Sequence, residues 1–100
     1  MGYYMLFKPS PGTALGTPLG IHARQANVNA LCVFTSERTA ASAMHTAAPD
    51  HYMETVTPDD VVSLAAIHGV DVVALDAYYA KKPKLVRVID AVEALANLQA

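Results

Sequence analysis

Apolar and polar positions along this chain switch between two periods, and the switches mark its elements. Tyr3 to Phe7 is an apolar, aromatic run closed by Lys8-Pro9, as a short buried strand would be. The following stretch, PSPGTALGTPLG, holds three prolines and three glycines. So many breakers suit neither a helix nor a ladder, and the stretch reads as a loop. Ile21 to Asn29 stays open between a strand and a short turn. Ala30 to Phe34 is a continuous apolar run, the pattern of a strand covered on both faces.

From there the period lengthens. Thr35 to Ala48 is rich in alanine, with Ala40, Ala41, Met44 and Ala47 on one stripe, and predicts an amphipathic helix that Pro49-Asp50 breaks. Tyr52 to Val56 alternates and predicts a strand. Thr57-Pro58-Asp59-Asp60 is a helix start: a cap, a proline at the first helical position and two acids beside the positive helix end. Val61, Leu64, Ala65 and His68 share a face, and Gly69 ends the helix. Val70 to Leu75 predicts the next strand. A last helix is expected from near Pro83, with Leu85, Ile89, Val92 and Ala96 along one stripe beside Val88 and Leu95. The order is one strand, a long loop, then three strand–helix units. It predicts a single compact layered α/β sandwich domain over residues 1–100. About four strands form a mixed, partly parallel sheet, with three helices.

Composition narrows the class. The chain has 100 residues, 53% hydrophobic and 16% charged, which excludes a disordered chain. The apolar share exceeds the evident need of one small core, so a covering partner, most simply a homodimer, is expected. A formal net charge of -2 gives no reason to expect nucleic acid or a membrane surface as partner. Cys32, the one cysteine, lies in an apolar run and reads as a reduced, buried thiol, hence a cytoplasmic setting. The start MGYYMLFKPSPG is too short an apolar stretch for a signal peptide, and no segment approaches the ~20 apolar residues of a membrane span.

Two stretches, VFTSERTAASAMH and ETVTPDDVVSLAAIHGVDVVALDA, resemble the N-terminal domain of the SseB family of bacterial proteins. The matching positions run from about Leu31 to Ala77. That family has a strand ending in a Phe-Thr-Ser-like turn, a helix, a strand, a second helix and a Gly-Val-Asp strand. Where the family often has Asn-Pro after the last strand, this chain has Asp76-Ala77. The resemblance implies a cytoplasmic α/β module without enzymatic activity, and it carries over no catalytic residue.

Chemistry concentrates at two places. Thr35, Ser36 and Arg38 follow a strand at the edge where parallel sheets collect ligands, and a helix N-terminus with a guanidinium can hold an anion. Capping accounts for the same residues, with Thr35 or Ser36 as the cap and Glu37 suited to the dipole. No Gly-x-Ser-x-Gly elbow surrounds Ser36. The turn LDAYYAKKPKLVR holds Lys81, Lys82, Lys84 and Arg87, four of the seven basic residues. Cations are disfavoured at a helix N-terminus, so this cluster beside Asp76, Tyr78 and Tyr79 suggests an acidic protein surface or a small anion as partner. A solvated turn with Asp76 and Asp90 as countercharges is the alternative.

His22, His45, His51 and His68 have no metal-ligand spacing, and neither metal nor cofactor is expected. Cys32 reads as inert. Asp59 and Asp60 sit ~100° apart on a helix, poorly placed for joint acid–base work. The function expected is that of a non-enzymatic, homodimeric interaction module. The alternative is an anion-binding regulatory domain built on Thr35, Ser36, Arg38, Asp76 and Lys81.

Overall fold

The computed structural model describes residues 3–9, 16–24, 26–78, 83–91 and 93. In chain order the elements are β1 (Tyr3–Lys8), β2 (Thr17–Pro18), β3 (Gly20–Ala23), β4 (Val28–Val33), α1 (Glu37–Ala47), β5 (Tyr52–Val56), α2 (Pro58–His68), β6 (Val72–Leu75) and β7 (Lys84–Arg87). A third helix, α3, opens at residues 88–91. One sheet has the order β2-β1-β5 and is antiparallel. The other has the order β3-β4-β6-β7, with β4 and β6 parallel. This is the expected α/β architecture with a partly parallel sheet.

The two sheets are stitched together. β2 and β3 are successive halves of one segment that leaves β1 to join β4. At the corner, the Leu19 N–H donates to the Leu6 carbonyl at 2.8 Å, and the Leu19 carbonyl accepts from the Cys32 N–H at 3.0 Å. Beyond it, Tyr4 and Phe34 exchange both backbone bonds, at 2.9 and 2.8 Å. Gly16 makes the close approach before β2 possible, since a Cβ there would sit 2.0 Å from the Lys8 carbonyl oxygen. Its N–H donates to the Tyr52 hydroxyl at 2.9 Å, and the Tyr52 ring stacks on Phe7.

Strand alternation divides the interior into two cores. Tyr3, Met5 and Phe7 of β1, Leu31 and Val33 of β4, and Val73 and Leu75 of β6 face Val61 and Ala65 of α2 and Ala91 of α3. Leu6, Ala30, Cys32, Phe34 and Ala74 face the other way, onto Ala40 and Ala43 of α1. The second core is lined largely by alanines, so α1 lies close to the sheet. Burial of strands on both faces accounts for their unbroken apolar runs.

Local chemistry sets the helix ends. Ser36 caps α1, its Oγ accepting from the Thr39 N–H at 3.1 Å. Thr57 caps α2, and the Asp60 carboxylate accepts the Thr57 N–H at 2.9 Å. Gly69 ends α2 in the left-handed region, at φ 66°.

Four expectations need correction. Among the described residues seven strands form rather than about four, because the loop and the open segment contain β2 and β3. Leu85 belongs to a strand: Lys84–Arg87 pairs antiparallel with β6, and α3 begins only at residue 88. Pairing along the edge of β6 outweighs the helical spacing there, and Pro83 also suits the position before a strand. The buried stripe of α1 is Thr39, Ala40 and Ala43, with Ala41 and Ala47 exposed. His68 and Ile89 are exposed, while Val92, Leu95 and Ala96 lie outside the described residues.

Cys32 is fully buried, and burial pushes its thiol up to about 12 from an ordinary 9.0. The unfolded thiol therefore loses its proton at a pH where the folded one keeps it. Its contribution to stability is complete below about pH 9 and falls as pH rises, by about 1.4 kcal/mol per pH unit. Denaturant unfolding from pH 8 to 10.5 should show this slope, and Cys32→Ala should remove it while lowering overall stability.

Candidate functional site

The parallel pair β4 and β6 places both carboxyl ends at one edge of the sheet. β4 runs through Phe34 into Thr35 and the Ser36 cap, and β6 runs into Asp76. Asp76 adopts the left-handed conformation, φ 54°, which aspartate tolerates better than most residues. Its N–H donates to the Val33 carbonyl at 2.9 Å, carrying the β4–β6 ladder one step further.

The turn aims the Asp76 carboxylate at the start of α1. Oδ1 accepts from the Thr35 N–H at 2.9 Å and from Thr39 Oγ1 at 2.8 Å. Oδ2 accepts from Thr35 Oγ1 at 2.8 Å. Thr39 has one hydroxyl proton, and the short contact to a carboxylate takes it in preference to the Ser36 carbonyl at 3.0 Å. Asp76 thus stands where an anion would sit at the N-terminal end of α1, and it complements the helix dipole from another strand.

Three predicted residues, Thr35, Ser36 and Asp76, are brought together, but as a tie between elements. Both polar groups of Thr35 are engaged by Asp76, and Ser36 is engaged with Thr39. Thr39 was not among the predicted residues. A hydroxyl three positions after Ser36 is the signal for it. Arg38 is exposed, and its guanidinium has no hydrogen-bond or ion-pair partner among the described residues.

Tyr78 also has a positive φ, 67°, and is 47% exposed. Burial of the remainder pushes its phenol above the ordinary value. A bulky residue in this region carries strain of roughly 1–2 kcal/mol. Lys84 is exposed and pairs with Leu75, directly before Asp76, which sets Lys84 at the same edge as Thr35. Tyr79, Lys81 and Lys82 lie outside the described residues.

Elsewhere, His22 bonds Asn29 and His51 bonds Asp50. Asp50 is held below the ordinary carboxylate value, chiefly by the His51 hydrogen bond. Among the described residues, no three metal-ligating side chains gather and no helix is long and apolar enough to cross a membrane. A cleft of about 550 Å³ is lined by residues that include Val62, Ala66, Asp71, Arg87 and Ile89. No protein-family model matches the chain, and no curated protein matches it as a relative.

Removing the Asp76 carboxylate strands the Thr35 N–H and two hydroxyls. Asp76→Ala should cost about 2–4 kcal/mol in chemical denaturation, whereas Arg38→Ala should stay within about 0.5 kcal/mol.

Proposed function

We propose that the protein is a small non-enzymatic interaction module of the SseB N-terminal type, cytoplasmic and homodimeric. It presents the carboxyl edge of β4 and β6 to an acidic protein surface. The observation that carries this reading is the exposure of Arg38, Tyr78 and Lys84 along one edge whose interior hydroxyls are already engaged. Neither cation has an ion-pair partner among the described residues. An exposed aromatic between unpaired cations is a composition suited to a protein contact. Tyr79, Lys81 and Lys82, adjacent in sequence, extend the same chemistry.

The position of Asp76 favours a protein partner over a free anion. An anion at the start of α1 would meet a carboxylate already held by the same donors, and like charges at that distance repel. The buried, reduced Cys32 fits a cytoplasmic setting.

The test uses an oligoglutamate peptide and inorganic phosphate as probes. The wild type should bind the peptide, more weakly as salt rises. Reversal of Lys81, Lys82 and Lys84 to Glu should abolish that binding and leave the melting temperature equal or higher. Peptide binding unchanged by the reversal overturns the proposed edge. Saturable stabilisation by phosphate without peptide binding favours the anion reading instead.

A further inference from the structure

The antiparallel sheet ends in β5, and the hydrogen bonds of β1 show which backbone groups of β5 stay open. Tyr4 exchanges both backbone bonds with Phe34, and the Leu6 carbonyl accepts from the Leu19 N–H. Tyr4 and Leu6 therefore direct their backbone groups away from β5. Tyr3, Met5 and Phe7 alternate with them and carry the ladder to Val56, Glu54 and Tyr52. Met53 and Thr55 consequently turn their N–H and carbonyl groups outward. Among the described residues no hydrogen bond reaches those groups.

Beside this edge a groove of about 310 Å³ runs between β5 and α2. Residues 54–56 of β5 form one wall. Asp60, Ser63, Leu64 and Ile67 form the other, at the i, i+3, i+4, i+7 spacing of one helix face. Among the described residues that line it, the ionisable ones are Glu54 and Asp60, both acids. Glu54 pairs with Met5 in the ladder, so its side chain lies on the same face as Met5, toward α2. It is exposed, and its carboxylate has no partner among the described residues. The Asp60 carboxylate accepts the Thr57 N–H through Oδ2 and leaves Oδ1 unengaged. Lys8, at the end of β1, is paired with Asp50.

We infer that β5 takes up an extended segment of a partner protein as an added strand, with a Lys or Arg of that segment lying in the groove. Its aliphatic stem rests on Leu64 and Ile67, and its cation meets Glu54 and Asp60. This surface is separate from the β4–β6 edge, and its partner has the opposite charge.

Two independent features define the occupant. The outward N–H and carbonyl groups of Met53 and Thr55 have the spacing that another extended backbone satisfies. An added strand then turns every second side chain toward α2. The groove joins an apolar wall to two carboxylates, which matches the apolar stem and charged head of Lys or Arg. An acidic side chain there would meet like charge. A second copy of this chain fits poorly for the same reason. Edge-to-edge pairing of two β5 strands brings the two Glu54 carboxylates together on one face of the joined sheet. A charge directed inward from an edge strand blocks such self-pairing and leaves the edge to a basic partner.

The full chain titrated with the capped peptide TRTVTRT, followed through its amide resonances, tests the inference. Binding should shift the amides of residues 53–56 and 60–67 and weaken as salt rises. The peptide TETVTET should bind at least tenfold more weakly. Thr55→Pro removes an outward N–H and no ladder bond, a change that an edge strand tolerates. It should weaken binding at least tenfold with circular dichroism unchanged, and Glu54→Lys should do the same. An added strand has one edge on β5 and one in water. Backbone N-methylation of TRTVTRT at one set of alternate residues should therefore abolish binding, and at the other set leave it intact. Absence of wild-type binding, or an equal effect of the two methylated sets, overturns strand addition. Equal binding of TRTVTRT and TETVTET, or binding indifferent to Glu54→Lys, overturns the basic side chain in the groove. Oligoglutamate binding at the β4–β6 edge is read separately, so failure there does not bear on β5.

Discussion

The alternation of side chains along β4 is the constraint on which the rest of the structure depends. Leu31 and Val33 point into one core, and Ala30, Cys32 and Phe34 into the other. A shift of one residue in its pairing would exchange these sets. Leu31 and Val33 would then meet the alanines of α1, and Ala30 and Cys32 would leave a void beneath α2. Register is pinned on both sides, by β3 through Ala30 and Leu31 and by β6 through residues 30–33. The Tyr4–Phe34 exchange and the Leu19 corner add the second sheet to the same reference strand. Both cores and both sheets therefore share one set of coordinates.

Asp76 extends that constraint to the sheet edge. Its backbone continues the β4–β6 ladder, and its carboxylate closes onto Thr35 and Thr39. The edge is consequently polar within, with the Thr35, Ser36 and Thr39 hydroxyls engaged, and the groups left exposed are those that reach beyond it. Arg38, Tyr78 and Lys84 all do so. The left-handed turns at Asp76 and Tyr78 fit this arrangement. Strain persists where neighbouring contacts over-determine the backbone, and the three hydrogen bonds to the Asp76 carboxylate supply such contacts.

Much of the fold was legible because local and tertiary preferences agree. Thr57, Pro58 and Asp60 predict the start of α2, and all three take the expected roles. The unbroken run through Cys32 signals burial on both faces, and Cys32 is fully buried. Where the two levels conflict, sequence patterns mislead. Leu85 and Val86 fall on a helical stripe, but the open edge of β6 recruits them as β7. Pro18 and Gly20 look like breakers, yet a short edge strand tolerates a proline and a sheet-switching corner suits glycine. At the site, Ser36 as cap was readable from its type and place. The Asp76 tie was not, because its partners lie 37 and 41 residues away in sequence. Only the parallel pairing of β4 with β6 brings them together.

The contrast between α1 and α2 links the fold to its use. Both cover the sheet with small buried side chains, Ala40 and Ala43 in one case and Val61 and Ala65 in the other. Covering the sheet therefore does not require α2 to be apolar on its far side. A sequence under selection for stability and solubility alone would place Lys or Glu at positions 66 and 67, as α1 places Glu37 and Arg38 at its surface. The outward Ile67 costs solubility and adds nothing to either core, since it lies three-quarters exposed. The sheet edge offers charge and aromatic surface, and the α2 layer offers apolar surface. These two chemistries lie on different parts of the molecule.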